Sequence, residues 1–272
     1  MSEPGAYVLG VDQQELERLR FQHKVWTEQA FALFRRGGLR AGQTVLDLGC
    51  GPGFTSLELA HAVGPTGRVI ARDQSARFLE HLRAECARRG IAHVATSLGP
   101  VEDLALEPVS LDAAYSRWLF CWLPDPGLVL TRVAAALRPG GAVLLQEYLD
   151  WGAMKMIPHA PAFARIVAAC LQSWREGEGT MDLADLVPDL AARAGLVVEH
   201  FAPVARVGAI GSLEWRWIGE FFASYPLRLV ERGLLRKEEH GAHLAEWRAL
   251  EADGTSFVLA PVMSDVVLRR PR

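Results

Sequence analysis

The stretch from Thr44 to Ala60, TVLDLGCGPGFTSLELA, constrains the fold more than any other. Thr44, Val45, Leu46 and Leu48 form a short apolar, partly β-branched run, as a buried parallel strand requires. Gly49, Gly51 and Gly53 follow, with Cys50 and Pro52 between them, and Leu57, Leu59 and Ala60 supply the apolar face of a helix. Glycines at such a turn let the backbone bend sharply and let a ligand come close. The helix that begins there aims free N–H groups at the crevice in front of it. A strand, glycine turn and helix in this order predict a nucleotide-binding arrangement at the carboxyl end of a parallel sheet.

The dinucleotide fingerprint is G-x-G-x-x-G; here the spacing is G-x-G-x-G, with Phe54 where the third glycine would stand. Asp47 lies two residues before the first glycine. A carboxylate there repels a pyrophosphate and attracts a cation. S-adenosylmethionine carries a sulfonium and an ammonium and no phosphate. The string VLDLGCGPG resembles the first motif of class I S-adenosylmethionine-dependent methyltransferases. The resemblance implies that Gly49 and Gly51 run beneath the methionine part of the cofactor and that Asp47 holds its amino group.

Later strings extend the likeness. Arg68–Arg72 reads as a second strand ending at Asp73, 20 residues after Gly53. An acid there can accept hydrogen bonds from both ribose hydroxyls, and the resemblance gives Asp73, with Gln74, that role; capping the helix near Ser75 is the other reading. After a weak third strand, Pro100 occupies the place of the family's usual acid. Pro100, the backbone of Val101 and the side chain of Glu102 are left to frame the adenine. The fourth strand runs into Ser116-Arg117-Trp118, which resembles the loop that passes between cofactor and acceptor, and the resemblance implicates all three in cofactor binding. Ahead of the glycine motif, Asp12–Arg36 reads as a capped helix. A leading segment of this kind closes over the methionine end in related enzymes, which implicates Tyr7 and Gln22.

Alternation of strand and helix through residue 148 predicts a parallel sheet. The resemblance implies a Rossmann-like, seven-stranded, mostly parallel α/β sheet with helices on both faces. To it are added an N-terminal helical segment (residues 1–40) and a helical insertion near the C-terminus. Residues 41–272 then form the methyltransferase domain. Leu196–Phe201 and a strand within Ser256–Leu268 would be its last two strands, antiparallel to each other. Between them, residues 203–254 exceed the hairpin that the fold needs. Two helices are expected there, Leu213–Arg232 and Lys237–Ala252, carrying Trp215, Trp217, Phe221, Phe222, Tyr225 and Trp247. Such aromatic density suits a lid over an apolar acceptor pocket; a packed helix pair and a homodimer interface are the alternatives.

Composition narrows the partners. The chain has 272 residues, half of them hydrophobic, and a net charge of −3. No basic excess exists to bind nucleic acid through phosphates. No apolar run is long enough for a membrane span, and MSEPGAYVLG is not a secretory signal. Cys50, Cys86, Cys121 and Cys170 lack zinc or disulfide spacing, so a reduced, cytoplasmic protein with no metal is expected.

Methyl transfer is an in-line displacement at a carbon already activated by the sulfonium. The protein aligns the reactants and removes water, so a base is optional. His159 is the candidate base, with His23 and Glu147 as alternatives. Trp118, Trp151, His159, Trp217 and Phe221 are the candidate acceptor contacts. The expected activity is methylation of a small, partly apolar molecule at O, N or C. Two other readings stay open: a protein or RNA acceptor, and an S-adenosylmethionine-binding protein with a non-transfer activity.

Overall fold

A computed structural model describes residues 13–177 and 180–272; Tyr7 lies outside them. Chain order is α1 (Gln13–Gly37), β1 (Thr44–Leu48), α2 (Phe54–Val63), β2 (Arg68–Asp73), α3 (Ala76–Arg89), β3 (Val94–Leu98), β4 (Leu111–Arg117), α4 (Pro126–Ala136) and β5 (Leu137–Asp150). Then come β6 (Lys155–Ile157), α5 (Pro161–Arg175), α6 (Val187–Arg193), β7 (Val197–Val204), β8 (Val207–Ala209), α7 (Leu213–Glu231), α8 (Lys237–Asp253), β9 (Phe257–Leu259) and β10 (Val262–Arg269).

Seven strands form the main sheet in the order β3-β2-β1-β4-β5-β10-β7. β1 pairs in parallel with β2 and β4, β2 with β3, and β4 with β5. β10 is antiparallel to both β5 and β7. Order reverses on either side of β1, and a crevice opens at the strand ends there. The sheet is the Rossmann-like one that the sequence predicts.

Period-two alternation sends successive side chains to opposite faces. Val45, Val69, Tyr115, Leu144 and Val267 bury one face against Leu33 and Phe34 of α1 and Leu59 and Val63 of α2. Leu46, Leu48, Ala114, Val143 and Leu145 bury the other against Val129 and Val133 of α4 and Val187 and Ala191 of α6.

A third core lies away from the sheet. Val25 and Trp26 of α1 meet Trp151, Met154, Phe163 and Cys170, then Trp217, Ile218, Phe222 and Leu229 of α7. A second, three-stranded sheet, β6-β9-β8, ties this layer together. It corrects two sequence expectations. A strand not expected from the sequence, β6, follows Trp151, and the strand expected within Ser256–Leu268 divides into β9 and β10. The layer covering the crevice therefore starts near Trp151, not at residue 203. Both expected insertion helices are present as α7 and α8.

Candidate active site

A cavity of about 780 Å³ opens where β1, β2 and β4 end. That volume lies within the usual range for small-molecule sites. Its floor is the glycine turn. Gly53, at φ 84°, caps α2, and a Cβ there would collide with the Leu82 side chain. Gly51, at φ 53°, has no atom within 4 Å of its would-be Cβ. One glycine is needed for packing, and the other leaves open space for a ligand.

Asp73 ties this turn to the end of β2. Its carboxylate accepts from Gly51 N at 2.8 Å and from Ser75 N at 2.8 Å. The α3 cap is Ser75 itself, whose hydroxyl accepts from Phe78 N. Asp47 is buried beneath the turn and accepts from Ser56 Oγ at 2.5 Å. Burial raises the pKa of Asp73, and pushes that of Asp47 up to about 7. Among the described residues neither carboxylate forms an ion pair, although the charge of Arg117 lowers the pKa of Asp47 in part. A positively charged or hydroxylated ligand would relieve both.

Gly49, Gly51, Gln74, Pro100, Val101 and Glu102 line the same part of the cavity. Arg72 shapes this wall, and the sequence reading missed it. Its buried guanidinium donates to Ser97 Oγ, Leu98 O and Pro100 O, at 2.8 Å each. A buried arginine saturated by loop oxygens is a positioning device. Its one sequence signal was a charge inside an apolar strand.

α1 supplies the roof, with Gln22 and His23 lining the cavity. Gln22 accepts from Arg18 at 2.7 Å. His23 Nδ1 lies 3.1 Å from Arg117 Nη2, and His23 Nε2 lies 2.9 Å from Glu58. A guanidinium only donates, so Nδ1 accepts and Nε2–H donates to Glu58. Both ring nitrogens are committed, which leaves His23 no lone pair for a substrate proton.

Arg117 ends β4 and Trp118 follows it. Arg117 also donates to Thr55 Oγ1 at 3.3 Å, while its Nη1 is buried with no partner. Ser116 is a correction. It is fully buried and does not line the cavity, because alternation turns it away from the face of Tyr115 and Arg117. Trp118 adopts φ 54°, a left-handed conformation that costs a non-glycine residue about 1–2 kcal/mol. Surrounding contacts fix it there. Its N–H donates to Gln146 O and its indole N–H to Met263 Sδ. The next two amides, Leu119 N and Phe120 N, donate to Glu147 at 3.1 and 3.0 Å. Glu147 is fully buried, its pKa pushed up to about 7 by burial, and it does not line the cavity. It braces the loop and is not placed as a base.

Past Trp118 the lining turns aromatic: Tyr148, Trp151, Trp174, Trp217, Phe221 and Tyr225. Trp118 stacks on Tyr148 at 25° and on Trp217 at 26°, with centroids 6.0 Å apart in each pair. Trp174, from α5, had no signal beyond its residue type. No residue of α8 lines the cavity; α8 backs α7 through Trp247, which packs on Trp215. His159 is exposed on the approach to α5, outside the cavity. It is corrected both as base and as acceptor contact. It follows β6, which pairs with β9 in the second sheet. Among the described residues no cluster of His, Cys, Asp or Glu is placed to hold a metal.

Comparison with known proteins agrees with this geometry. Residues 45–141 match the family described as methyltransferase domain. Trans-aconitate 2-methyltransferase of Methylobacterium nodulans is 34% identical over 152 residues, covering 54% of this chain and 56% of that protein. Demethylmenaquinone methyltransferase of Lactococcus lactis is 32% identical over 126 residues, covering 46% of this chain and 49% of that protein. The chain thus spans about half the length of these relatives. Among solved structures, the [4+2]-cyclase SpnF shares the fold at a TM-score of 0.56 and 17% identity, covering 90% of this chain and 81% of that one. The first motif, the strand order and the matched segment agree that residues 45–141 carry a methyltransferase domain, similar to those of class I S-adenosylmethionine-dependent enzymes.

Proposed function

We propose that this protein transfers a methyl group from S-adenosylmethionine to a small, partly apolar acceptor. The observation that carries this reading is the pair of buried carboxylates, Asp47 and Asp73, held at the glycine turn with no ion pair among the described residues. Asp73, with Gln74, takes the ribose hydroxyls. Asp47 takes the ammonium. Pro100, Val101 and Glu102 frame the adenine, and Gln22, with Arg18 beside it, faces the methionine carboxylate. When bound, the cofactor supplies a methyl group on a cationic sulfur. The chain's own residues orient the acceptor and exclude water, which is the larger part of catalysis for such a displacement.

Trp118, Trp151, Trp217 and Phe221 hold the acceptor, with α7 as the lid and α8 as its brace. No side chain of the described cavity is both free and placed as a base, which suits an acceptor that ionises without one. A cytoplasmic setting is supported by four buried, unpaired cysteines. The fold shared with a cyclase keeps a non-transfer reaction as the second reading.

Calorimetric titration with S-adenosylmethionine, S-adenosylhomocysteine and NAD tests the cofactor. Micromolar binding of the first two and none of NAD is expected; NAD binding alone would overturn the reading. Release of labelled methyl to an acceptor panel then separates transfer from binding without transfer.

A further inference from the structure

A second cavity, of about 520 Å³, opens at the end of the main sheet opposite the glycine turn. Gln43 before β1, Ala113 in β4, Gly141 in β5 and Arg269 at the end of β10 border it. Arg40, Arg138, Arg269, Arg270 and Arg272 converge there, against two carboxylates, Asp112 and Glu199. The chain as a whole carries a net charge of −3, so this cationic excess is a local arrangement. The carboxylates do not use it up. Arg269 is spent: Nε and Nη2 donate to Glu199 at 2.7 and 2.6 Å, and Nη1 to Gly37 O and Gly140 O. Arg138 gives Nη1 to Asp112 at 2.6 Å, and Arg270 gives Nη1 to the carbonyls of Ala134, Ala135 and Leu137 at the end of α4. Among the described residues, no other nitrogen of either guanidinium is hydrogen-bonded. The exposed side chains of Arg40 and Arg272 have no partner among the described residues. Arg272 lies along Gly140, whose would-be Cβ would stand 3.7 Å from it.

We infer that this second cavity binds a compact polyanion, a small molecule with adjacent phosphate or carboxylate groups and no aromatic part. The inference does not rest on the function proposed above. A guanidinium presents paired donors that match a phosphate or a carboxylate two bonds at a time. Arg40, Arg138, Arg270 and Arg272 keep such donors, while Arg269 and the carbonyls at the end of α4 hold the wall that they stand on. No aromatic residue borders the cavity, so nothing there would stack on a base or a ring. A long polyanion such as a nucleic acid is disfavoured, because Asp112 beside Arg138 and Glu199 beside Arg269 interrupt the cationic surface. The crevice at the glycine turn does not compete for the same ligand, since Asp47 and Asp73 there repel an anion.

Calorimetric titration of the full chain with pyrophosphate and with citrate tests this. At least one should bind at a single site, and the tighter of the two tells phosphate from carboxylate as the source. Affinity should fall about tenfold between about 10 and 100 mM salt, as the screening length shortens from roughly 30 to 10 Å. Acetate, with one charge, should not bind. Replacing both free arginines, Arg40→Gln with Arg272→Gln, should weaken binding about tenfold or more, and Arg40→Lys with Arg272→Lys should weaken it less. Both side chains are exposed, so the melting temperature should not move in either double variant. Saturating S-adenosylhomocysteine should leave the anion's affinity unchanged. No binding of either anion, equal binding by the glutamine variant, or displacement by S-adenosylhomocysteine overturns the inference. So does a single-stranded oligonucleotide that binds more tightly than either small anion, since the face would then belong to nucleic acid. Failure of S-adenosylhomocysteine itself to bind would count against the proposed function alone, because the titrations of the natural and substituted chains do not depend on it.

Discussion

The two halves of the cavity are built in different ways. The proposed cofactor end is made by backbone geometry and carboxylates over a short span, Asp47 to Glu102, at the ends of consecutive strands. The aromatic end is assembled from β4, β5, the turn after it, α5 and α7, with more than 100 residues between Trp118 and Phe221. The first half depends on where the main chain goes. The second depends on which side chains meet. Substitutions should therefore act sharply and selectively at the first, and by degrees at the second.

The largest effect should come from Asp73→Ala. It removes the proposed ribose acceptor and frees Gly51 N from its anchor, so S-adenosylmethionine affinity should fall by about 1–3 kcal/mol, roughly 5- to 150-fold. Calorimetry checks this, and an unchanged Kd would detach the glycine turn from binding. Next comes Trp217→Ala, which should raise the acceptor KM about tenfold while cofactor affinity moves less than twofold, since a ring is lost only from the second half. Equal losses of both would erase the distinction between the halves.

Glu147 tests how the halves are joined. Its carboxyl titrates near 4.3 in the unfolded chain and near 7 when folded. Between those values the folded state holds the extra proton, so its contribution to stability falls as pH rises from about 4 to about 7 and is level above. Asp47 acts with the same sign. The melting temperature of Glu147→Gln relative to the natural protein should therefore be higher at pH 8 than at pH 5, by a few degrees (about 2–4 °C for each kcal/mol at this size). An equal difference at both pH values would mean that the carboxyl is charged when folded. The smallest effect belongs to His159→Ala, which should leave both affinities and the turnover unchanged. A tenfold fall in kcat would bring the loop before α5 back into the site.

The geometry of the proposed cofactor end was legible because it is specified locally. A glycine turn and an acid at a strand end are each specified within a few residues, and Asp47, Asp73, Gly51 and Gln74 stand where their spacing put them. Ser116 failed by one position of strand alternation. What the sequence hid was distant. β6, β8 and β9 are three residues each, too short to show a period, and each exists only because its partner arrives from elsewhere in the chain. The links from His23 to Glu58 and from Arg117 to His23 cross 35 and 94 residues. His159 was judged by chemical type alone, and nothing nearby revealed that its loop turns outward.

Trp118 makes stability and selectivity compete. Its left-handed backbone would suit glycine better, so Trp118→Gly would relax the main chain while deleting the ring that joins Tyr148 to Trp217. Selection for robustness alone would tend to discard this tryptophan. Breadth of acceptor use should be easier to evolve here than at the glycine turn, since the first step toward it relieves a local penalty.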